Sequence, residues 1–285
     1  MKKKLTVLGI LLLSISLLLA AEENQIKKSL SFIIKGGWGT ARIGDINAYY
    51  KSRCADEIFN IPENEGNKVP QLSSGFASVE VEGQYALSDH FSLGLALGSP
   101  IIKSDKAIWY IKLGGSTQPV VMEPKVTVYV PIKINLYYRL PLSSRFQLLI
   151  GGGVGIYPAK LRFIPSEIIY GDVNTFSHFP LGIQGVCRID TSLTKKISLI
   201  LEGEWRLAKL TDFKGEEILG NFINKGTLWY YKELYVGSNT WWDELDISKS
   251  APQYDPLGQV LYKDQRKAIF DLSGFSLRTG ISLSF

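Results

Sequence analysis

The sequence predicts an all-β protein: an eight-stranded antiparallel up-and-down transmembrane β-barrel with long extracellular loops. Three observations support this fold. Apolar and polar residues alternate with a period of two in eight segments, short and long connections alternate between those segments, and the last segment ends on an aromatic residue. A chain of 285 residues is long enough for one such domain.

The first residues have the pattern of a secretory signal peptide. Lys2, Lys3 and Lys4 precede an uncharged run from 5 to 19, and Ala20 and Ala21 offer a cleavage site. An uncleaved anchor is the alternative, but a spanning helix needs about 20 apolar residues and this run is shorter. Residues 1–21 are therefore predicted to be removed on export.

Residues 22–285 are predicted to form the barrel. The clearest alternation lies between 126 and 138, where Val126, Val128 and Val130 share one face and Thr127 and Lys133 lie on the other. The predicted strands are 29–43, 73–87, 91–100, 125–140, 146–157, 179–189, 196–209 and 268–285. The connections 88–90, 141–145 and 190–196 are short, while 44–72, 101–124, 158–178 and 210–267 are long. Short turns at one end and long loops at the other are typical of barrels in bacterial outer membranes.

A secreted soluble barrel or sandwich would also show alternating strands. Its polar faces would contact water and should be rich in long polar residues. Here several polar faces consist of small residues instead, as in Ser92, Gly94, Ala96 and Gly98. Small residues suit the narrow interior of an eight-stranded cylinder, so the membrane barrel is favoured.

Composition argues against several other classes of protein. The formal net charge of +5 includes three lysines of the predicted signal, so the rest of the chain is close to neutral and nucleic acid is not expected as a partner. Two histidines make a histidine-rich metal site implausible, and no cofactor is predicted. Cys54 and Cys187 are placed near opposite ends of the barrel by the predicted topology, so they are expected to be unpaired.

The predicted inward faces carry charged residues at similar depth. Arg278 lies seven residues before the end of its strand, and Lys35 lies at a similar distance from the start of the first strand. At about 3.3 Å per residue and a tilt near 40°, these charges fall near mid-membrane. The members of this predicted interior charge network are Lys35, Glu80, Glu82, Lys133, Glu202, Glu204, Arg206 and Arg278.

Charges buried in a narrow barrel must be paired, because an isolated buried ion is costly. Strand order predicts that Lys35 pairs with Glu80 or Glu82, and that Arg278 pairs with Glu202 or Glu204. The network would then plug the barrel. The alternative is that the charges line a wet pore and contribute to ion selectivity.

The signal peptide, the eight strands and the terminal Phe285 resemble the small outer-membrane barrels of the OmpA/OmpX type. The resemblance implies location in the bacterial outer membrane, among outer-membrane lipid and lipopolysaccharide. It also implies that Phe285 is a recognition signal for the outer-membrane assembly machinery. The resemblance is architectural and transfers no functional motif. The peptidoglycan-binding domain of some members is not expected after Phe285, and the loop 210–267 is longer than is usual in that group.

The loop 210–267 is rich in aromatic residues. Its central part has a charge on each alternating face, so a hairpin projecting beyond the membrane is predicted rather than further membrane strands. Its aromatic residues could bind an extracellular glycan or a protein, or could pack over the barrel mouth. These candidate binding residues are Trp229, Tyr231, Tyr235, Trp241 and Trp242.

No catalytic residue is assigned. His178 is the only histidine predicted on the outer side, and Pro180 stands where a lipid A deacylase would have serine. The predicted function is therefore non-enzymatic: envelope integrity or surface interaction through the long loops. A small pore for ions or solutes is the alternative, and a lipid A-modifying enzyme is the further alternative.

Overall fold

The computed structural model describes residues 30–55, 62–113, 115–163, 172–176, 180–219, 222–235, 242–248 and 260–285. The predicted signal peptide, His178 and Trp241 lie outside these ranges. Tyr235 and Trp242 are described by their backbone alone. Within the described ranges, no helix has the length and apolar character needed to cross a membrane.

The described elements are mostly strands. In chain order they are β1 Leu30–Thr40, α1 Asp45–Cys54, a 3₁₀ turn Pro62–Asn64, β2 Leu72–Ala86, β3 Phe91–Ser104, β4 Ala107–Leu113, β5 Ser116–Met122, β6 Lys125–Val128, β7 Ile132–Pro141, β8 Phe146–Ile156, β9 Ala159–Phe163, β10 Asp172–Phe176, β11 Leu181–Ser192, β12 Ile197–Leu207, β13 Lys209–Leu210, β14 Lys214–Leu219, β15 Phe222–Tyr235, β16 Trp242–Ser248, β17 Val260–Lys267, β18 Phe270–Asp271 and β19 Gly274–Ser284.

Eight strands close into an antiparallel barrel in the order β1-β19-β12-β11-β8-β7-β3-β2. The short turns lie at one end, called the turn end here, and the other end is called the mouth. Large apolar side chains point outward along the alternating strands, and about half of the surface of Leu95, Ile134, Ile150 and Ile281 is accessible. The polar alternates point inward and are buried. The period-two pattern thus separates an apolar outside from a polar inside.

A second structured region covers the mouth. This cap consists of α1 and the strands β4–β6, β9, β10 and β13–β18. Most of its strands form one sheet in the order β16-β15-β14-β10-β9-β6, with β17 also paired to β15, while β4 and β5 form a separate hairpin. Apolar side chains from the cap and the upper barrel form one buried cluster, which includes Tyr49, Trp109, Met122, Phe213, Leu228 and Phe270. The mouth is therefore covered by an apolar core.

The predicted strand 125–140 was wrong as a single element. The structure divides it into β6, which pairs with β9 in the cap, and β7, which pairs with β3 and β8 in the barrel. The interruption lies at Tyr129, Val130 and Pro131. Proline has no N–H to donate to a ladder, which favours a break in the strand. The Pro131 carbonyl oxygen still accepts a hydrogen bond from Gly98 N at 3.2 Å, and Tyr129 N donates to Pro158 O at 2.8 Å.

The other corrections concern the chain beyond the mouth. The segment 210–267 is not simply a loop, because β14, β15, β16 and β17 lie in it and pair with one another. The predicted strand 268–285 is also divided, into β18 and β19. The connections 44–72, 101–124 and 158–178 contain α1, β4, β5, β9 and β10.

Candidate functional site: the charged barrel interior

The interior of the barrel holds a network of buried charges. In the described part of the chain its members are five cations and five carboxylates, so their formal charges balance. They are Lys35, Lys133, Arg188, Arg206, Arg278, Glu80, Glu82, Asp190, Glu202 and Glu204. All but Asp190 have side chains at most 7% exposed. The structure therefore brings together the eight charges named from the sequence and adds two.

Arg278 is the centre of the half of the network nearer the mouth. Its guanidinium lies 2.6 Å from Glu80, 2.7 Å from Glu202 and 2.5 Å from Glu204. Lys133 Nζ lies 2.7 Å from Glu204 and also contacts Glu80. One cation thus contacts three carboxylates, rather than the single partner expected from strand order.

Arg206 closes this half of the network toward the mouth. It lies 3.1 Å from Glu204 and donates a hydrogen bond from Nε to Leu272 O at 2.9 Å. Its guanidinium also lies over the Phe76 ring, with Cζ 5.2 Å from the centroid. Arg206 therefore joins the charges of the barrel to the apolar core of the cap.

Lys35 and Arg188 hold the half nearer the turn end. Lys35 Nζ lies 2.5 Å from Glu82, 2.8 Å from Glu80 and 2.9 Å from Glu202. Arg188 lies 3.0 Å from Asp190, 3.6 Å from Glu82 and 3.9 Å from Glu202. It also donates from Nη2 to Gln84 Oε1 and lies over the Tyr137 ring at 4.9 Å.

Strand register explains how these side chains meet. Glu202 of β12 lies opposite Arg278 of β19, so this pair is adjacent. Lys35 of β1 reaches Glu202 across β19, where its own partner is Gly280. A Cβ at Gly280 would lie 2.2 Å from Ile34 O, so the backbones approach too closely for any larger residue. Gly280 is thus required by the close approach of the β1 and β19 backbones beside Lys35.

Three of the carboxylates have the spacing of a metal site. Oxygen atoms of Glu80, Glu202 and Glu204 lie within 4.8 Å of one another. The cations that surround them are protein side chains: Lys35, Lys133 and Arg278 contact two or more of these acids each. The acids are thus neutralised without a metal ion.

Neutral polar groups extend the network on both sides. Toward the mouth, Tyr157 donates to Gln184 Oε1 at 2.9 Å, and Gln184 Nε2 donates to Asn135 Oδ1 at 2.7 Å. Toward the turn end lies a polar vestibule of about 170 Å³, whose lining includes Ser31, Gln84, Ser92, Arg139, Asp190 and Ser282. The space near the turn end is thus wide enough for water, whereas the charges above it are in direct contact.

Arg188 and Asp190 were missed as members of the network. Both lie on β11, whose inward face carries Gln184 and Arg188. The depth of Arg188 could have identified it, because it lies opposite Glu202 in the register of β11 and β12. Asp190 is nearer the turn and was assigned to it, but β11 continues to Ser192.

The residues named outside the barrel lie in two places. Trp229 and Tyr231 are in β15 of the cap, where Tyr231 is buried and meets Tyr262 edge-on with centroids 5.5 Å apart. Tyr235 ends the same strand and Trp242 begins β16. Phe285 follows β19 at the turn end, is 77% exposed, and donates its N–H to Leu30 O at 2.9 Å.

Both cysteines are free, with Cys54 buried in the cap and Cys187 exposed on the barrel.

Comparison with known proteins gives distant structural likenesses alone. No family model and no curated protein matches the sequence. Among solved structures, the chain is similar to Neisserial surface protein A, with 9% identity and a TM-score of 0.40, covering 90% of this chain and 97% of that one. It is also similar to the outer membrane protein OprG from Pseudomonas aeruginosa, with 15% identity and a TM-score of 0.43, covering 91% and 98%. The fold assignment rests on the strand pairing of this chain: it is a closed eight-stranded antiparallel barrel.

Proposed function

We propose that this chain is a non-enzymatic barrel of the bacterial outer membrane, which holds the cap at the cell surface and is closed in its middle by the charge network. The observation that carries the proposal is the contrast between the two sides of the barrel wall. The outside is apolar on all eight strands, while the inside holds ten charged groups. In water this arrangement would expose a large continuous apolar surface, whereas in a bilayer the same surface is buried.

The interior supports a plug rather than an open channel. Arg278, Lys35 and Lys133 each contact at least two acids, and these contacts span the barrel from β1 to β7 and β12. Eight strands enclose a space just wide enough for side chains to fill. An ion crossing the barrel would have to separate several direct ion pairs at once.

The cap supports a role in surface interaction. Its sheet is built on a buried apolar core, so it presents a defined surface beyond the mouth. The aromatic strand β15 lies in this sheet, where Trp229 is half-buried and Tyr231 is buried. An extracellular glycan or a protein is the proposed class of ligand, and envelope integrity is the alternative role. Phe285, exposed at the turn end, is the proposed recognition signal for the assembly machinery.

A small pore is the second candidate. The vestibule of about 170 Å³ at the turn end favours it, because ions could enter the barrel as far as Arg188 and Asp190. On this view the network would be a gate instead of a plug.

Two measurements on detergent-refolded protein test the proposal. We expect a gel shift between unheated and boiled samples, as a closed barrel resists unfolding by detergent, and no stable conductance in planar bilayers. A soluble monomer that needs no detergent would contradict the membrane assignment. Large, stable channel openings would contradict the plug and favour the pore. Lys112 is an exposed residue of the cap. Lys112→Gln therefore serves as the control wherever a charged residue of the network is replaced.

A further inference from the structure

Two basic residues lie just beyond the apolar band of the barrel, where the barrel meets the cap. Arg42 follows β1, and Lys209 begins β13 immediately after β12. Both are exposed, while the residues beside them, Ala41 and Ala208, are buried at the mouth. Asp271 stands between the two in the strand order, paired with Arg42 on one side and with Lys209 on the other. The row Arg42–Asp271–Lys209 therefore faces outward.

The height of this row matches the headgroup region of a bilayer. Arg42 lies twelve residues from Leu30, and Lys209 lies twelve residues from Ile197, both counted from the turn end. At about 3.3 Å per residue and a tilt near 40°, each is about 30 Å from that end. The outward apolar band of such barrels is about 25 Å tall. Both cations thus lie about 5 Å above the band, where lipid phosphates are found.

Aromatic side chains mark the upper edge of the band beneath the row. Trp38, Trp205 and Phe275 point outward on β1, β12 and β19, and are 57%, 51% and 50% exposed. Trp205 lies opposite Phe275, and Trp38 lies opposite the next outward residue, Leu277. Aromatic rings of this kind favour the interface between acyl chains and headgroups.

The rings leave a furrow between them. Trp38 leans over β2, because a Cβ at Gly75 would lie 2.6 Å from the Trp38 ring. Phe275 leans the other way over β12, since a Cβ at Gly203 would lie 3.3 Å from its ring. The surface between the two rings is formed by Leu277, which is 51% exposed. An apolar furrow thus runs along β1 and β19 up to the row Arg42–Asp271–Lys209.

We propose that this face of the barrel binds a phosphorylated lipid, with the headgroup phosphate held between Arg42 and Lys209 and an acyl chain in the furrow over Leu277. Two strand spacings separate the cations by about 10 Å, which their long side chains can close around one phosphate. Among the described residues, neither cation lies within 4.0 Å of a carboxylate oxygen, so both are available. Asp271 Oδ1 accepts a hydrogen bond from Ser273 N at 2.8 Å and leaves the row with one net positive charge.

The proposal rests on the membrane assignment and is tested with the whole chain refolded into phosphatidylcholine vesicles. Phosphatidylglycerol with brominated acyl chains quenches tryptophan fluorescence where it gathers near Trp38 and Trp205, and brominated phosphatidylcholine is the neutral comparison. One net charge near the interface favours the anionic lipid by about fivefold. Half-maximal quenching is therefore expected at about one-fifth of the mole fraction needed for the neutral lipid.

The double variant Arg42→Gln/Lys209→Gln should lose this preference. The matched control Lys112→Gln/Lys225→Gln, two exposed lysines of the cap, should keep it. Equal quenching by the two lipids, or a preference that survives in the first double variant, would overturn the lipid site alone. Millimolar inorganic phosphate, which has no acyl chain to occupy the furrow, should leave the preference in place. Quenching by neither lipid would refute the membrane barrel itself.

Discussion

Replacing Arg278 with leucine tests whether the charge network is a dry plug. The guanidinium lies within 2.7 Å of Glu80, Glu202 and Glu204, all of them buried. Its removal leaves the network with one carboxylate in excess, and the cavity beside Arg278, Glu80 and Lys133 is only about 20 Å³, which is room for about one water molecule. Breaking a buried ion pair by removing one partner costs about 3–5 kcal/mol, so Arg278→Leu should lower the free energy of unfolding by that amount. Urea unfolding in detergent micelles, followed by tryptophan fluorescence, measures it.

Two further variants separate charge balance from packing. Arg278→Lys keeps the charge and should cost less than half as much. Arg278→Leu combined with Glu204→Leu restores the charge balance. The loss of unfolding free energy in the double variant should therefore be smaller, by at least about 1 kcal/mol, than the sum of the losses in the two single variants. If Arg278→Leu cost under about 1 kcal/mol, or if the two changes were simply additive, the acids would be hydrated. The plug would then be refuted in favour of a wet interior.

Three other predictions concern positions outside that centre. Gly280→Ala should destabilise the barrel by about 2 kcal/mol or more in the same urea assay, because its Cβ would meet Ile34 O, whereas Gly83→Ala, where a Cβ meets open space, should be neutral. Burial raises the pKa of the Cys54 thiol to about 12 from an ordinary value near 9. The folded cap therefore holds a proton that the unfolded chain releases, so the cap should lose stability as pH rises from about 9 toward 12, and Cys54→Ala should remove this dependence as followed by limited proteolysis. Asp45 accepts hydrogen bonds from Arg266 at 2.5 and 2.6 Å and from Ile269 N at 2.8 Å, which joins α1 to the end of β17. Asp45→Asn should speed protease cleavage of the cap and leave the heat-dependent gel shift of the barrel unchanged; an unaltered cleavage rate would show that α1 is held by its apolar contacts alone.

The barrel was predictable because its signal is local. Inward and outward residues alternate along each strand whatever its partner is, so strands such as β8 and β12 follow from the sequence with small errors at their ends. The break at Pro131 was visible as a residue type. A single strand was nevertheless predicted, because apolar and polar residues alternate without interruption from Val126 to Tyr138. In the structure these residues belong to two strands in different sheets.

The cap was less predictable because its strands are short and both faces are covered. On β15, Leu228 and Tyr230 on one face and Tyr231 on the other are all buried, so no simple alternation marks the strand. Its partners β14, β16 and β17 are set by long-range pairing, which no local window of sequence contains.

For the candidate site, alternation along the strands predicted eight of the ten interior charges and their approximate depth. The period-two alternation tells on which face of the strand a side chain lies, and the rise per residue gives its height in the barrel. The partners depend on the tertiary structure: Arg278 contacts three acids on two strands, Lys35 reaches Glu202 across β19, and Arg188 of β11 joins the network together with Asp190. The partners could not be read from the sequence because the sheet closes into a barrel. Side chains from strands far apart in the chain meet inside a narrow cylinder, and their contacts depend on strand stagger and on the glycines that leave room for them.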